Sequence, residues 1–311
     1  LISGTYNSGS LLKFTLSQFL PLLLFNLIMQ NCPHCSSNSI QKKNFYTIKH
    51  SGSKIRRYLC TCCKRSFSSK TLSPTYKQTK PFLNPIIFKL LMSGNTQRRI
   101  AKLIHCSKNT VARKLLWLSQ YPESITHTKT LDGQHLQIDE LETIEHTKLK
   151  PVTIPICVND KYKILGLSVG KIKAKGHLSE IALKKYGYRS DEREKALTEL
   201  FKNLRKNITH EPITITTDAH PLYPKFIQKY FPKSKHIQVI SRDLLKKKRE
   251  LVYTAERKRI FDPLFALNQR CAMLRSDIRR LTRRSWCTTK KLENLEKHLQ
   301  LYMIYNNEFL T

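Results

Sequence analysis

The sequence predicts a multidomain protein with a small N-terminal β domain, a helical pair, and an α/β domain with a mixed sheet. Three observations lead to this fold class. Two closely spaced cysteine pairs lie near the N-terminus, a helical pattern follows them, and from His135 onward short apolar runs alternate with helical segments. The chain of 311 residues is long enough for two or three such units.

The two cysteine pairs have the spacing of a closed zinc site. Cys32 and Cys35 form one CxxC pair, and Cys60 and Cys63 form the other. A tight turn over each pair aims two thiolates at one tetrahedral Zn²⁺. Two strand-like runs joined by a Ser-Gly-Ser turn predict a β-hairpin between the pairs, hence a zinc ribbon with a structural zinc ion. Cys62 is interpreted as a spare thiol, and free or disulfide-bonded cysteines are the alternative.

The charge of the chain indicates a polyanionic partner. Lys and Arg number 56 against 22 Asp and Glu, which gives a formal charge of +34 and a sequence pI of about 10.0. The basic residues occur along every segment, so nucleic acid is the leading candidate and an anionic membrane surface the lesser one. Residues 11–28 are apolar but interrupted, and we interpret residues 1–28 as a leader that is disordered or not naturally translated. Reduced cysteines predict a cytoplasmic protein.

The pattern of the sequence also suggests domain boundaries. The predicted segments are the leader at 1–28, the zinc ribbon at 29–70, a linker and helix at 71–96, a helix-turn-helix at 97–125, and an α/β domain at 131–311.

The helix-turn-helix is predicted from buried-face spacing and from capping. The apolar residues that would form its buried faces are Ile100, Ile104, Val111, Leu115 and Leu118. Ser107 can cap the second helix, and His105 stands where the turn prefers glycine. An ordinary helical hairpin is the alternative. In the helix-turn-helix interpretation the residues facing the major groove are Lys108, Asn109, Thr110 and Arg113.

Two aspartates lie where predicted apolar strands end. Asp139 follows Leu136-Gln137-Ile138, and Asp218 follows a run of Ile and Thr residues. If the two strands are neighbours, both carboxylates can bind one divalent cation or two close ones, and oxygen ligands favour Mg²⁺ or Mn²⁺. Such ions can activate the attacking oxygen and stabilise the leaving one in phosphodiester chemistry. The alternative is that each aspartate caps a turn.

Taken together, these motifs resemble the transposases of the bacterial insertion-sequence-one family. The resemblance covers residues 32–307 and includes the runs at 138–141, 217–223 and 274–284 in the order of that family. It implies a ribonuclease-H-like domain with a DDE-type metal site that cuts and joins DNA at the ends of its own element. It also implies double-stranded DNA as partner, both element ends and target, an oligomer of identical chains on that DNA, and association with the bacterial nucleoid.

The third acidic residue departs from the family pattern. The position that carries glutamate in the family is Asn268 in this chain. An amide oxygen can coordinate a cation but contributes no charge, so we also consider Asp262, Glu256 and Glu140 as substitutes. Asn268 lies on a predicted helix whose apolar stripe recurs every three or four residues.

Several basic groups are predicted to contact DNA phosphates. At the far end of that helix the cluster comprises Arg279, Arg280, Arg283 and Arg284. The runs at 246–249 and 257–259 have the same predicted role, and the alternative for all of them is a solvated surface.

The leading hypothesis is therefore a DNA transposase that binds the ends of its insertion sequence and cleaves and joins strands. The second is a DNA-binding regulator or transposition inhibitor whose ribonuclease-H-like domain is catalytically inactive. A third, an RNA-binding zinc-ribbon protein, would require stacking aromatic residues on an exposed sheet.

Overall fold

The computed structural model describes residues 31–48, 52–120, 135–208, 211–240, 261–282 and 286–310. The chain divides into two compact units, Leu1–Leu83 and Asn84–Thr311. Among the described residues, no helix has the length and apolar character needed to cross a membrane. The predicted leader at 1–28, both basic runs at 246–249 and 257–259, and Glu256 lie outside the described residues.

The first unit is built on a three-stranded antiparallel sheet. Its strands, in spatial order, are β1 (Ile40–Thr47), β2 (Lys54–Cys60) and β3 (Ser66–Ser68). The predicted hairpin is present, with Phe45 opposite Arg56 across β1 and β2. The buried core contains Cys32, Cys60 and Phe67, with the ring of Tyr58 stacked on Phe67. A core this small supplies little hydrophobic stabilisation, which is typical of domains that a metal ion holds together.

The second unit begins with the helical pair and the helix before it. These helices are α1 (Asn84–Met92), α2 (Gln97–Leu103) and α3 (Lys108–Leu118). The hydroxyl of Ser107 accepts a hydrogen bond from the backbone N–H of Thr110 at 3.1 Å, which caps α3 as the sequence predicts. His105 occupies the turn with φ of 50°, a conformation that histidine tolerates better than most residues. Of the predicted buried faces, Ile104 and Leu118 are half-buried and the rest are buried.

A mixed sheet follows. Its strands are β4 (His135–Ile144), β5 (Pro151–Asn159), β6 (Ile164–Leu167), β7 (Gly170–Lys171), β8 (Thr214–Asp218) and β9 (Lys235–Val239). The spatial order is β6-β5-β4-β8-β9, with β7 also paired to β5. Strands β4, β5 and β6 pair in antiparallel fashion, whereas β8 lies parallel to β4 and β9 parallel to β8. β5 is an almost continuous apolar run because it is buried along its length.

Helices cover both faces of this sheet. These are α5 (Arg193–Asn207), α6 (Leu222–Tyr230), α7 (Phe265–Asp277) and α8 (Leu292–Tyr305), whereas α4 (Leu178–Tyr186) has no buried residue. Short 3₁₀ or π turns occupy Ser69–Leu72, Pro81–Leu83, Arg279–Leu281 and Asn306–Leu310. On one face Leu136 and Ile138 pack into a buried cluster with residues of α5 and α6. On the other, the side chain of Gln137 accepts a hydrogen bond from the backbone N–H of Leu267 on α7 at 2.9 Å.

The helical pair and the sheet belong to the same compact unit. The ring of Phe88 on α1 lies 6.1 Å from that of Tyr305 at the end of α8, measured between centroids. α8 also packs against α3 and against β6. The helix-turn-helix segment is therefore connected to the sheet through α8 as well as through the chain.

One strand boundary differs from the prediction that Asp139 ends its strand. That prediction was wrong, because β4 continues to Ile144 and stays paired with β5 from Glu140↔Pro155 to Ile144↔Pro151. The pairing of β4 with β8 is the one that ends just before Asp139, and its last matched pair is Ile138 with Thr217.

Candidate metal centres and nucleic-acid interface

The four cysteines of the two CxxC pairs come together in the first unit. The Sγ atoms of Cys32, Cys35, Cys60 and Cys63 all lie within 4.8 Å of one another. The Sγ atoms of Cys32 and Cys63 are 3.7 Å apart, and those of Cys35 and Cys60 are 3.5 Å apart. All four are free thiols, whereas Cys62 is exposed and outside the group. This arrangement could hold a zinc ion in a closed four-sulfur site.

Local backbone geometry explains how each pair is aimed. The residue after each second cysteine, Ser36 and Lys64, has a positive φ of 57°. This left-handed residue closes a tight turn after each pair, so the two halves of the site share one backbone shape. The backbone N–H groups around the second turn, that of Cys63 foremost, lower the pKa of the Cys60 thiol to about 6. Burial and the neighbouring cysteines raise the pKa of Cys35 to about 12, because one thiolate disfavours the next. A cation would favour deprotonation of the whole group, since the thiolate is the coordinating form.

Asp139 and Asp218 lie side by side on the larger sheet. Each comes one residue after the last matched positions of β4 and β8, which are neighbouring parallel strands. Adjacent strands are about 4.8 Å apart, so matched positions place side chains on the same face at close range. That face carries Gln137 and is covered by α7. The predicted juxtaposition of the two carboxylates therefore exists in the fold.

The surroundings of Asp139 disfavour an isolated negative charge. Burial is the main cause that raises its pKa to about 6, and the charges of Asp218 and Glu140 act in the same direction. Arg275 on α7 opposes the shift. The backbone N–H of Glu140 donates to Oδ1 of Asp139 at 2.6 Å. A cation bound between Asp139 and Asp218 would relieve the repulsion between these two carboxylates, and carboxylate oxygens are ligands that a divalent metal accepts.

Glu140 points to the opposite face of the sheet, because successive side chains of a strand alternate. Its carboxylate accepts a 2.6 Å hydrogen bond from the hydroxyl of Thr153 and lies 3.5 Å from Nε of Arg193. Arg193 also contacts Nε2 of His220 at 3.0 Å. Through these contacts Glu140 holds Arg193, and Arg193 in turn contacts His220 beside the turn that follows Asp218. This favours a structural role for Glu140 over the role of third metal ligand.

Tyr223 lies close to all three carboxylates. It is fully buried, and its hydroxyl has no hydrogen-bond partner among the described residues. Burial, together with the charges of Asp139, Glu140 and Asp218, raises its pKa well above the ordinary value. The hydroxyl is therefore a neutral donor held next to the acidic group. In the sequence, Tyr223 is distinguished only as part of the run at 217–223.

Helix α7 presents Cys271 and Arg275 to Asp139. Burial raises the pKa of Cys271 to about 12, and the carboxylate of Asp139 acts in the same direction. Asn268, one turn earlier, is exposed and donates its side-chain amide to Oδ2 of Asp262 at 2.8 Å. Among the described residues, no third His, Cys, Asp or Glu joins Asp139 and Asp218 in a group that could hold a metal ion.

The predicted groove-facing residues lie at the start of α3. Lys108, Asn109 and Arg113 are exposed, so their side chains are accessible. Thr110 is half-buried, and its hydroxyl hydrogen-bonds the Ser107 hydroxyl at 2.9 Å. Thr110 therefore takes part in the N-terminal cap of α3. The spacing Ser-x-x-Thr in the sequence could have indicated this role.

The predicted arginine cluster divides between surface and interior. Arg279 is exposed, whereas Arg280 is largely buried against His298 of α8, and burial lowers its pKa to about 10. Arg283 and Arg284 lie outside the described residues. Arg193 and Arg280 were not predicted as buried, because a single basic residue carries no burial signal in sequence.

Comparisons with known proteins add little to this geometry. No family model matches the chain, and no curated protein matches it. Among solved structures, it is similar to a chain of the simian T-cell lymphotropic virus intasome in complex with PP2A regulatory subunit B56 gamma. That match has 16% sequence identity and a TM-score of 0.22, and covers 60% of this chain. It covers 64% of the other chain, less than two thirds of its length. A similarity at this level carries no argument about function.

Proposed function

We propose that this chain is a DNA transposase that binds the ends of its own insertion sequence and catalyses metal-dependent cleavage and transfer of DNA strands. The observation that carries the proposal is the pair Asp139 and Asp218, each one residue beyond the last matched positions of two neighbouring parallel strands. The pair lies in the same compact unit as an exposed, basic helix α3.

The sheet supports a ribonuclease-H-like domain as the catalytic part. Three antiparallel strands are followed by two that are parallel to the first, and the first strand occupies the centre of the order β6-β5-β4-β8-β9. The two aspartates come from the first and fourth main strands. Ligands of open sheets of this class gather where neighbouring parallel strands meet at their carboxyl ends.

In this function Asp139 and Asp218 would hold one or two Mg²⁺ or Mn²⁺ ions, with Asn268 or Asp262 as the third group. The metal would supply activation of the attacking oxygen and stabilisation of the leaving one. The chain's own residues orient the strand: α7 covers the carboxylates, and Arg275 brings positive charge to the same place. The buried hydroxyl of Tyr223 stays protonated near these carboxylates and can donate a hydrogen bond there.

The zinc ion would stabilise the first unit, and the exposed face of α3 would read the element ends. Element ends and target must be held together for strand transfer, so an assembly of identical chains on DNA follows from the same proposal.

A DNA-binding regulator with an inactive domain is the second candidate. The observation in its favour is Asn268, an uncharged group exposed on α7 and hydrogen-bonded to Asp262. Two aspartates with an amide attract a divalent cation less strongly than three carboxylates. The two candidates make the same prediction for DNA binding and opposite ones for cleavage.

The deciding experiment is strand cleavage and joining on DNA that carries the element ends, with Mg²⁺ or Mn²⁺. We expect Asp139→Asn and Asp218→Asn each to reduce cleavage by more than about a hundredfold, since loss of even outer metal partners costs about 10- to 100-fold. DNA binding should persist in both. Asp160→Asn, an exposed change outside the site, is the matched control. Metal-independent cleavage, or full activity in both variants, would refute the assignment. DNA binding by a wild-type chain that cleaves nothing would favour the regulator.

A further inference from the structure

A second basic site lies in the same unit, away from the acidic pair. An open pocket of about 400 Å³ lies between the turn that joins α1 and α2, helix α3, residues 279–280 and 286–291, and α8. Its lining contains no Asp or Glu. The cationic side chains that line it are Arg98, Lys108, Arg279, Arg280, Lys290 and Lys291. Among the described residues none of the six forms an ion pair with a carboxylate, so the described part of the chain leaves the positive charge of this pocket unpaired.

One buried lining residue of the pocket, His298, has ring nitrogens that lack hydrogen-bond partners among the described residues. His298 is 4% exposed, and within the described part of the chain neither ring nitrogen has a hydrogen bond of normal geometry. The nearby Leu91 carbonyl favours the protonated ring, but burial and the charge of Arg280 outweigh it and lower the pKa of His298 to about 3. The ring is therefore neutral and has one N–H to donate. Arg280 is partly removed from water, and a bound anion would compensate its charge.

The pocket runs alongside helix α3. Lys108, Ala112, Leu115 and Leu116 line it, at the spacing of one helical face. Asn109 and Arg113 are exposed on the neighbouring face. In a DNA complex the sugar-phosphate backbone passes beside the groove that a helix enters, and phosphate contacts fix the register of that helix.

An aromatic side chain stands at the rim. Trp286 lines the pocket and is fully exposed, at 100% of its accessible surface. An exposed indole next to cations is the combination with which proteins hold nucleic-acid strands, because the ring stacks on bases while the cations bind phosphates. This favours a nucleic-acid strand over a free inorganic anion.

We propose that this pocket binds a phosphodiester of the DNA strand that borders the groove read by α3, with Trp286 stacking on an unpaired base of that strand. The proposal rests on the proposed function in that it takes DNA as the ligand of α3. Arg279 and Lys291 would bind the phosphate at the mouth, with Arg280 and the ring N–H of His298 behind them. The site would couple the helix-turn-helix to α8 and so to the sheet.

Fluorescence of Trp286 tests this directly. The chain has two tryptophans, so Trp117→Phe leaves Trp286 as the single indole reporter. In this background we would titrate duplex DNA with a single-stranded overhang, blunt duplex, single-stranded DNA and inorganic pyrophosphate, and follow total DNA binding in parallel by anisotropy of labelled DNA.

We expect a saturable change in Trp286 emission with DNA, largest for the overhang. Arg279→Ala with Lys291→Ala should weaken this response by at least about tenfold, because the loss of a single charged hydrogen bond to a phosphate lowers affinity by about tenfold or more. Both side chains are exposed, so the fold should be retained, and Lys184→Ala with Lys202→Ala is a control of equal charge change elsewhere.

Three results would overturn the pocket assignment. DNA binding without a change in Trp286 emission would do so, while leaving the proposed function intact. An equal loss in the control pair would show a general charge effect. A response to pyrophosphate with none to DNA would make the pocket a site for free polyphosphate. Absence of any DNA binding by the wild-type chain in the anisotropy arm would instead reject the proposed function, and with it the DNA assignment of the pocket.

Discussion

The side-chain amide of Asn268 donates a 2.8 Å hydrogen bond to Oδ2 of Asp262, just before the start of α7. The two groups that the sequence offers as alternatives for the third metal ligand are thus direct partners. A change in one therefore alters the charge and orientation of the other.

For this pair we expect Asn268→Glu to raise cleavage several-fold, because a third carboxylate adds a negative charge to the ligand set. Asn268→Ala should lower cleavage, and Mn²⁺ should support more activity than Mg²⁺ in the parent protein. Cleavage rates over a metal titration measure all three. If Asn268→Ala is silent while Asp262→Asn is inactive, the ligand role passes to Asp262.

The four-cysteine group leads to a prediction about metal content and stability. We expect one Zn²⁺ per purified chain, and loss of both the metal and the fold of the first unit in Cys32→Ser with Cys60→Ser, since the small core around Phe67 does not hold the unit alone. Cys62→Ser, at an exposed thiol outside the group, should keep its zinc. Metal analysis and limited proteolysis provide the readouts, and zinc retained by the double variant would contradict the site.

The start of α3 should carry sequence preference. We expect a triple variant, Lys108→Ala, Asn109→Ala and Arg113→Ala, to reduce the preference for element ends over random DNA by tenfold or more, since each good base contact contributes about 1–3 kcal/mol of discrimination. The matched control is Lys184→Ala with Lys202→Ala, which removes the same charge elsewhere. Competition titrations at several salt concentrations separate preference from overall affinity, and binding should weaken as salt rises because counterions are released. An unchanged preference in the triple variant would show that these residues of α3 do not recognise the DNA sequence.

His298 should make the second unit sensitive to acid. Burial lowers its pKa from 6.5 to about 3 in the folded chain, so between these values the unfolded chain binds the extra proton. Stability from this residue is therefore present above pH 6.5 and decreases on acidification, by at most about 1.4 kcal/mol per pH unit. The groups that face the ring are Arg280, which reinforces the effect, and the Leu91 carbonyl, which opposes it.

Urea unfolding at a series of pH values measures this effect. The slope between pH 6.5 and the lower limit of folding should be smaller in His298→Gln than in the parent. His177→Gln, at an exposed histidine, should leave it unchanged. Equal slopes in parent and His298→Gln would show that the ring does not contribute.

Much of the local structure could be predicted from the sequence. The spacing of the CxxC pairs, the Ser107 cap and the strand runs that end near Asp139 and Asp218 are local signals, set by the few residues around each position. The continuation of β4 to Ile144 was missed because it depends on pairing with β5, which no local pattern in Glu140–Ile144 reveals.

Short-range spacing along the chain was thus sufficient to predict the two cysteine pairs, the helix pair and the α/β class, since turns, caps and alternation depend on neighbouring residues. Tertiary packing decided which of these features meet. It placed Asp139 beside Asp218, separated Glu140 from them by the alternation of the strand, buried Arg280 against His298, and joined Asn268 to Asp262. The reason is physical: contacts between residues far apart in the chain depend on how whole elements pack to bury their apolar faces, and that outcome is not encoded in any single segment.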